Sequence, residues 1–135
     1  VGLFGKLKAM RMLLIDDDEL IRDSLRLYFA TEGCDLTALE SAEQGLKALS
    51  RQEYDILIVD YKLPGINGFK FLEQIQATHP NVLKIFVSAF GDDEVLGRVK
   101  KLGIEEFIEK PFTSKTIENA LLRLIGKREE QLDGQ

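Results

Sequence analysis

The chain has one cysteine, Cys34, three prolines and a single histidine, His79, in 135 residues. Cys34 can close no internal disulfide and build no thiolate metal site, which agrees with a reducing compartment. His79 sits before Pro80 with no second ligand near it in sequence, so a surface position without a role is expected. With so few prolines, and with 44% hydrophobic and 30% charged residues, the composition excludes a disordered segment and fits one globular domain with a sizeable core. No apolar run approaches the roughly 18 residues needed to span a bilayer. The opening VGLFGKLKAM also lacks the long apolar stretch and small-residue cleavage site of a secretory signal. A cytoplasmic protein with no membrane role is therefore expected. The net charge of −5 argues against direct nucleic-acid binding by this segment.

What is present is an alternation of short apolar runs with segments of helical period. The strand candidates are RMLLI (11–15), DLTAL (35–39), DILIVD (55–60), LKIFV (83–87) and IEEFIEK (104–110), of which the first, third and fourth are the most continuously apolar. Between them, Leu20, Ile21, Leu25, Tyr28 and Phe29 make a helical stripe that stops near Gly33. Ser41 and Gln44 form a capping-box pattern ahead of Ala42, Leu46 and Leu49. Asn67 can cap a third helix carrying Phe71, Leu72 and Ile75, Val95 to Leu102 mark a fourth that stops at Gly103, and Thr113 or Ser114 opens a fifth with Ile117, Leu121 and Leu124. This (βα)5 pattern predicts an α/β fold, a doubly wound parallel sheet with helices on both faces.

In such sheets ligands collect outside the carboxyl ends of the strands. Asp16 and Asp17 follow the first strand, Asp60 closes the third, Ser88 follows the fourth and Lys110 closes the fifth, so all five land on one rim. Clustered carboxylates raise one another's pKa unless a cation sits among them. Hard oxygen ligands without histidine or thiolate point to Mg²⁺, and the lone ammonium of Lys110 suits a phosphoryl group.

The motifs LLIDDDELIR, DILIVDYKLPGINGF, FVSAF and EKPF occur in the order and spacing of one family. The chain resembles the receiver domain of bacterial two-component response regulators from about Met12 to Gly126. The resemblance implies the flavodoxin-like strand order 2-1-3-4-5 and the following roles. Asp60 is the phosphorylated residue, Asp16 and Asp17 are the acidic pair that hold Mg²⁺ with Asp60 and the Lys62 backbone carbonyl, Ser88 is the switch hydroxyl, and Lys110 binds the phosphoryl group. It also implies a cis Lys110–Pro111 bond and a sensor histidine kinase or phosphotransfer protein as donor. Phe107 occupies the aromatic switch position. The signalling face is the fourth helix, fifth strand and fifth helix, which is also a surface for a homodimer. Lys62 and Phe90 stand at the positions that flank the path of hydrolytic water, so they are expected to tune the lifetime of the phosphorylated state.

Simpler readings compete at several positions. Asp18 matches no functional position in the family, and with Glu19 it suits the start of a helix. Cys34 reads as a small buried filler. A flavodoxin-like electron carrier would need a hydroxyl-rich, glycine-rich phosphate loop where this chain has DDDEL. A haloacid-dehalogenase-type phosphohydrolase would carry its nucleophile in a D-x-D motif at the first strand, and an inactive receiver-like module would lack part of the Asp, Asp, Asp, Ser, Lys set. Residues 10–126 are taken as the domain, 1–9 as an added extension, and 127–135 as a polar tail or the start of a linker.

Overall fold

The computed structural model describes residues 2–134; Val1 and Gln135, the outer ends of the expected extension and tail, lie outside the described residues. In chain order the elements are α1 (Leu3–Leu7), β1 (Met12–Ile15), α2 (Glu19–Thr31), β2 (Leu36–Leu39), α3 (Ala42–Arg51), β3 (Ile56–Asp60), α4 (Gly68–Ile75), β4 (Leu83–Ser88), α5 (Asp93–Lys101), β5 (Glu106–Glu109) and α6 (Ser114–Asp133). The five helices expected from the sequence are α2 to α6, with α1 ahead of them.

Every residue of β1, β3 and β4 is buried, because these strands carry helices on both faces, and all are apolar except Lys84 and the rim residues Asp60 and Ser88. They form the middle of a wholly parallel sheet of order β2-β1-β3-β4-β5, the flavodoxin-like order expected. β2 and β5 are the edges, and their burial is mixed. Successive side chains of a strand face opposite ways. Met12 and Leu14 therefore join Leu25, Phe29, Leu121 and Leu124 in a layer under α2 and α6. Leu13 and Ile15 join Leu49, Phe71, Leu72 and Val95 in a second layer under α3, α4 and α5.

The helix starts follow local chemistry. Asp18 caps α2 by accepting the Leu20 and Ile21 amides, and Asn67 caps α4 by accepting the Lys70 amide at 2.9 Å. Thr113, rather than Ser114, caps α6 in a reciprocal box with Thr116. At α3 the expected box is displaced. Ser41 accepts the Gln44 amide at 3.2 Å, but the Gln44 side chain turns to the Glu40 amide at 3.0 Å.

Both ends of the chain carry more structure than their composition announces. Leu7 of α1 is fully buried, and Phe4 packs edge-on to Tyr28 with ring centroids 6.1 Å apart. The polar stretch from Lys127 continues α6 to Asp133, since Lys, Arg, Glu and Gln are good helix formers and Gly126 alone does not break it. Arg128 donates to the Asn81 carbonyl at 2.6 Å and Glu129 pairs with Lys6 at 2.8 Å, so the two ends brace each other.

Candidate functional site

Three acidic side chains converge on the carboxyl rim. Asp16 is fixed through its backbone: its amide donates to the Leu39 carbonyl at 3.0 Å, and Arg22 donates to the Asp16 carbonyl at 2.9 Å. Its buried carboxylate accepts the Asp18 amide at 2.9 Å. Asp60, the last residue of β3, is buried as well, whereas Asp17 is exposed. One oxygen from each of the three lies within 4.8 Å of the others. Lys110 reaches in from beyond β5, its Nζ 3.0 Å from Asp60 Oδ2 and 3.1 Å from Asp16 Oδ2. The Lys110 amide donates to the Ser88 carbonyl at 2.9 Å, and the following bond to Pro111 is cis.

Burial and charge set the electrostatics. Loss of water, then repulsion from Asp16, pushes the Asp60 pKa up to about 6, although Lys110 pulls the other way. Asp16 is raised chiefly by burial, with the Asp18 amide and Lys110 opposing. For Lys110 burial disfavours the ammonium, but hydrogen bonds to Asp60 and Asp16 outweigh it and its pKa rises. Two buried carboxylates on one ammonium, with the Asp17 carboxylate beside them, leave negative charge in excess. An oxygen-only donor set of this kind could coordinate a hard divalent cation.

The loop after Asp60 is folded tightly onto it. The Tyr61 amide donates to the Val87 carbonyl, and the Gly68 amide to the Tyr61 carbonyl, both at 2.8 Å. A Cβ on Gly68 would come within 2.3 Å of the Asp60 carbonyl oxygen, so only glycine fits there. Lys62 is exposed and holds its ammonium over the Phe90 ring, 4.6 Å from the centroid. Ser88 is fully buried, and its hydroxyl oxygen accepts the Phe90 amide at 2.9 Å. Phe107 stands apart from the acids. It is half-buried, level with Phe86 across β4 and β5, and packs against the layer under α3 to α5.

The structure thus brings Asp16, Asp17, Asp60 and Lys110 together, ties Ser88 to them through the backbone, and joins Lys62 to Phe90 as a separate pair. Sequence reasoning missed two features. Tyr61, Phe69 and Phe86 form an aromatic stack under the loop, Phe69 and Phe86 being 4.3 Å apart, with Arg98 lying 4.1 Å over Phe69. Glu43 of α3 accepts the Ile66 amide of the loop at 3.2 Å. Nothing in the sequence named these partners.

Fold and rim together define a doubly wound α/β domain with an acidic, oxygen-only site at the carboxyl ends of its strands. Residues 12–122 match the response regulator receiver domain, and the chain belongs to that family. That match makes it a phosphoacceptor signalling domain of the two-component, phosphorelay kind. The chain is 31% identical over 103 residues to the cyclic di-GMP phosphodiesterase of Thermotoga maritima, covering 76% of this chain and 27% of that protein. It is 30% identical over 124 residues to the transcriptional regulatory protein FixJ of Azorhizobium caulinodans, covering 92% of this chain and 59% of that protein. It spans less than two thirds of either relative. The crystal structure of a response regulator receiver domain protein from Methanospirillum hungatei superposes with a TM-score of 0.84 at 24% identity, covering 90% of this chain and 98% of that one, a likeness of fold. Among the described residues no helix is long and apolar enough to cross a membrane.

Proposed function

We propose that the chain is a cytoplasmic response regulator receiver that accepts a phosphoryl group on Asp60 from a phosphohistidine of a sensor histidine kinase or phosphotransfer protein. The observation that carries this reading is the bridging of Asp60 and Asp16 by Lys110 inside a cluster of three carboxylates. Asp16, Asp17, Asp60 and the Lys62 carbonyl would hold Mg²⁺. When bound there, the cation offsets charge that would otherwise repel the incoming phosphoryl group. An Asp60 carboxylate oxygen attacks phosphorus, a P–O bond forms, the P–N bond to the donor imidazole breaks, and its electron pair returns to the ring. With a pKa of about 6, Asp60 is mostly ionised at neutral pH and no general base is required. Lys110 moves from carboxylate to phosphoryl oxygen, and Ser88 gives up the Phe90 amide to bond another. Leu20, 73% exposed at the start of α2, and the neighbouring Phe112 offer an apolar landing surface for the donor protein beside the rim.

Rearrangement of Ser88 then draws Phe107 inward and changes the face formed by α5, β5 and α6, through which an effector or a second copy engages. Gly97 inside α5 costs about 1 kcal/mol relative to alanine and leaves that helix easy to shift. The Lys62–Phe90 pair shields the approach of hydrolytic water and lengthens the life of the phosphorylated state, because the Lys62 ammonium pairs with phosphoryl oxygens and crowds the path while the Phe90 ring cannot hydrogen-bond a water as an acid or amide would. Residues 10–126 are the functional unit, flanked by the extension at 1–9 and the polar stretch at 127–135. Incubation with acetyl phosphate with and without Mg²⁺, beside Asp60→Ala, tests the reading. Phosphoryl uptake that survives the substitution, or that ignores Mg²⁺, defeats it.

A further inference from the structure

The loop that carries Lys62 is fastened at both ends. Tyr61 is tied to β4 and Gly68 closes back onto Tyr61, while Asn67 caps α4. From Lys62 to Ile66, among the described residues, the backbone makes one hydrogen bond, the donation from the Ile66 amide to Glu43 Oε1 at 3.2 Å. Glu43 belongs to another element, the first turn of α3. Its carboxylate also lies over Gly65, where φ is +76° and a Cβ would come within 2.6 Å of Oε1. The positive φ strains any L side chain, and glycine leaves the carboxylate free to lie against the loop. Leu63 and Ile66 rest against the core layer under α3 to α5, so the loop has apolar support too. Apolar contact is non-directional, whereas a hydrogen bond fixes the orientation of the peptide that makes it. Lys62 lines one cleft with Asp17, Pro64 and Asn67, so the course of this segment sets the wall that faces Asp17.

We infer that Glu43 is a positioning residue for the divalent-cation site, holding the 62–66 backbone in the course that makes the Lys62 carbonyl available opposite Asp17. The inference rests on the proposed cation site and adds a residue that never touches the cation. The Ile66 amide, and the position of Glu43 at a helix start, favour the charged carboxylate, and its pKa lies below the ordinary value. Glu43 therefore stays an ionised acceptor wherever the rim itself is ionised.

The test is titration of the isotopically labelled chain with Mg²⁺ alone, read on the amide resonances of Lys62 and Ile66, for the unsubstituted protein, Glu43→Ala and Glu43→Gln. In metal-free protein, Glu43→Ala speeds hydrogen exchange at the Ile66 amide. It raises the Mg²⁺ dissociation constant roughly fivefold, the factor of one ordinary net hydrogen bond. Glu43→Gln keeps an acceptor oxygen and recovers most of the loss, and saturating Mg²⁺ returns phosphorylation of Glu43→Ala by acetyl phosphate to the unsubstituted rate. If the unsubstituted chain binds Mg²⁺ and Glu43→Ala binds it equally well, the inference is wrong while the cation site stands. A weakened affinity that glutamine does not rescue, or a loss of rate that saturating Mg²⁺ does not restore, also overturns it. Failure of the unsubstituted chain to bind Mg²⁺ removes the cation site and the inference with it.

Discussion

Asp60 and Glu106 are both buried carboxylates, 6% and 9% exposed, yet their surroundings give them opposite characters. Glu106, at the start of β5, accepts two bonds from Arg123, at 3.0 and 2.8 Å, and has Lys127 at 3.8 Å. One acid meets two cations, and the pair fastens α6 to the edge of the sheet. At the rim, buried Asp16 and Asp60 share the ammonium of Lys110, with the exposed Asp17 carboxylate beside them. Equal burial therefore yields a structural clamp in one place and a surplus of negative charge in the other. Burying unpaired charge is costly, so the surplus marks the end of the molecule that needs an external partner.

Removing the central cation of each group should separate the two sites most strongly. Lys110→Met leaves two buried carboxylates facing each other and should destabilise the metal-free protein at neutral pH by about 3 kcal/mol. Arg123→Met leaves Lys127 beside Glu106, and Arg123 is half exposed, so about 1 kcal/mol is expected. Denaturant unfolding in a chelator measures both, and equal losses would erase the contrast.

The pH dependence has a sign of its own. With its pKa raised from 3.8 to about 6, Asp60 in the folded protein keeps a proton that the unfolded chain has already released. Between those two values the folded state binds more protons, so the stability of the metal-free protein falls as pH rises, by up to about 3 kcal/mol across the window. Asp60→Asn should flatten this slope and raise the melting temperature at neutral pH, whereas Glu106→Gln, which strips Arg123 and Lys127 of their charged partner, should not raise it. Mg²⁺ should restore stability by linkage in the unsubstituted chain. A melting temperature indifferent to Mg²⁺ would count against the site.

Smaller effects belong to the covering residues. Lys62→Asn and Phe90→Glu should each speed loss of the phosphoryl group about fivefold, and together by less than the product, because each breaks the same cation–π contact. Rates that do not change show that the pair leaves the water path open. Smallest of all, a phosphoryl mimic should shift the resonances of Phe107 and Val99; changes confined to the loops around Asp60 would make Phe107 a static core residue.

The legible parts of the molecule were those governed by near neighbours in sequence. β1, β3 and β4 read correctly because burial on both faces favours largely apolar runs, which the buried Lys84 interrupts only once inside β4. β5 is shorter than the run 104–110 suggests, since Ile104 packs as the close of α5, its amide donating to the Val99 carbonyl, while Lys110 has already left the strand for the rim. The convergence of Asp16, Asp60 and Lys110 was readable across long separations because parallel strands deliver their carboxyl ends to one edge. The Lys62 contact with Phe90, the hold of Glu43 on Ile66 and the brace between Lys6 and Glu129 were not. Each depends on how two distant surface segments are aimed, and neither period nor strand order encodes that.

A phosphoacceptor centred on Asp60 would give the surplus charge at the rim its use. The most direct measurement is mass spectrometry of the chain after exposure to acetyl phosphate, with the modified residue mapped by peptide. A single phosphoryl group on Asp60, present with Mg²⁺, absent in chelator and absent in Asp60→Asn, is the predicted result. A chain that gains no phosphoryl group with Mg²⁺ present, or one that gains it at a residue outside the rim, would contradict the account.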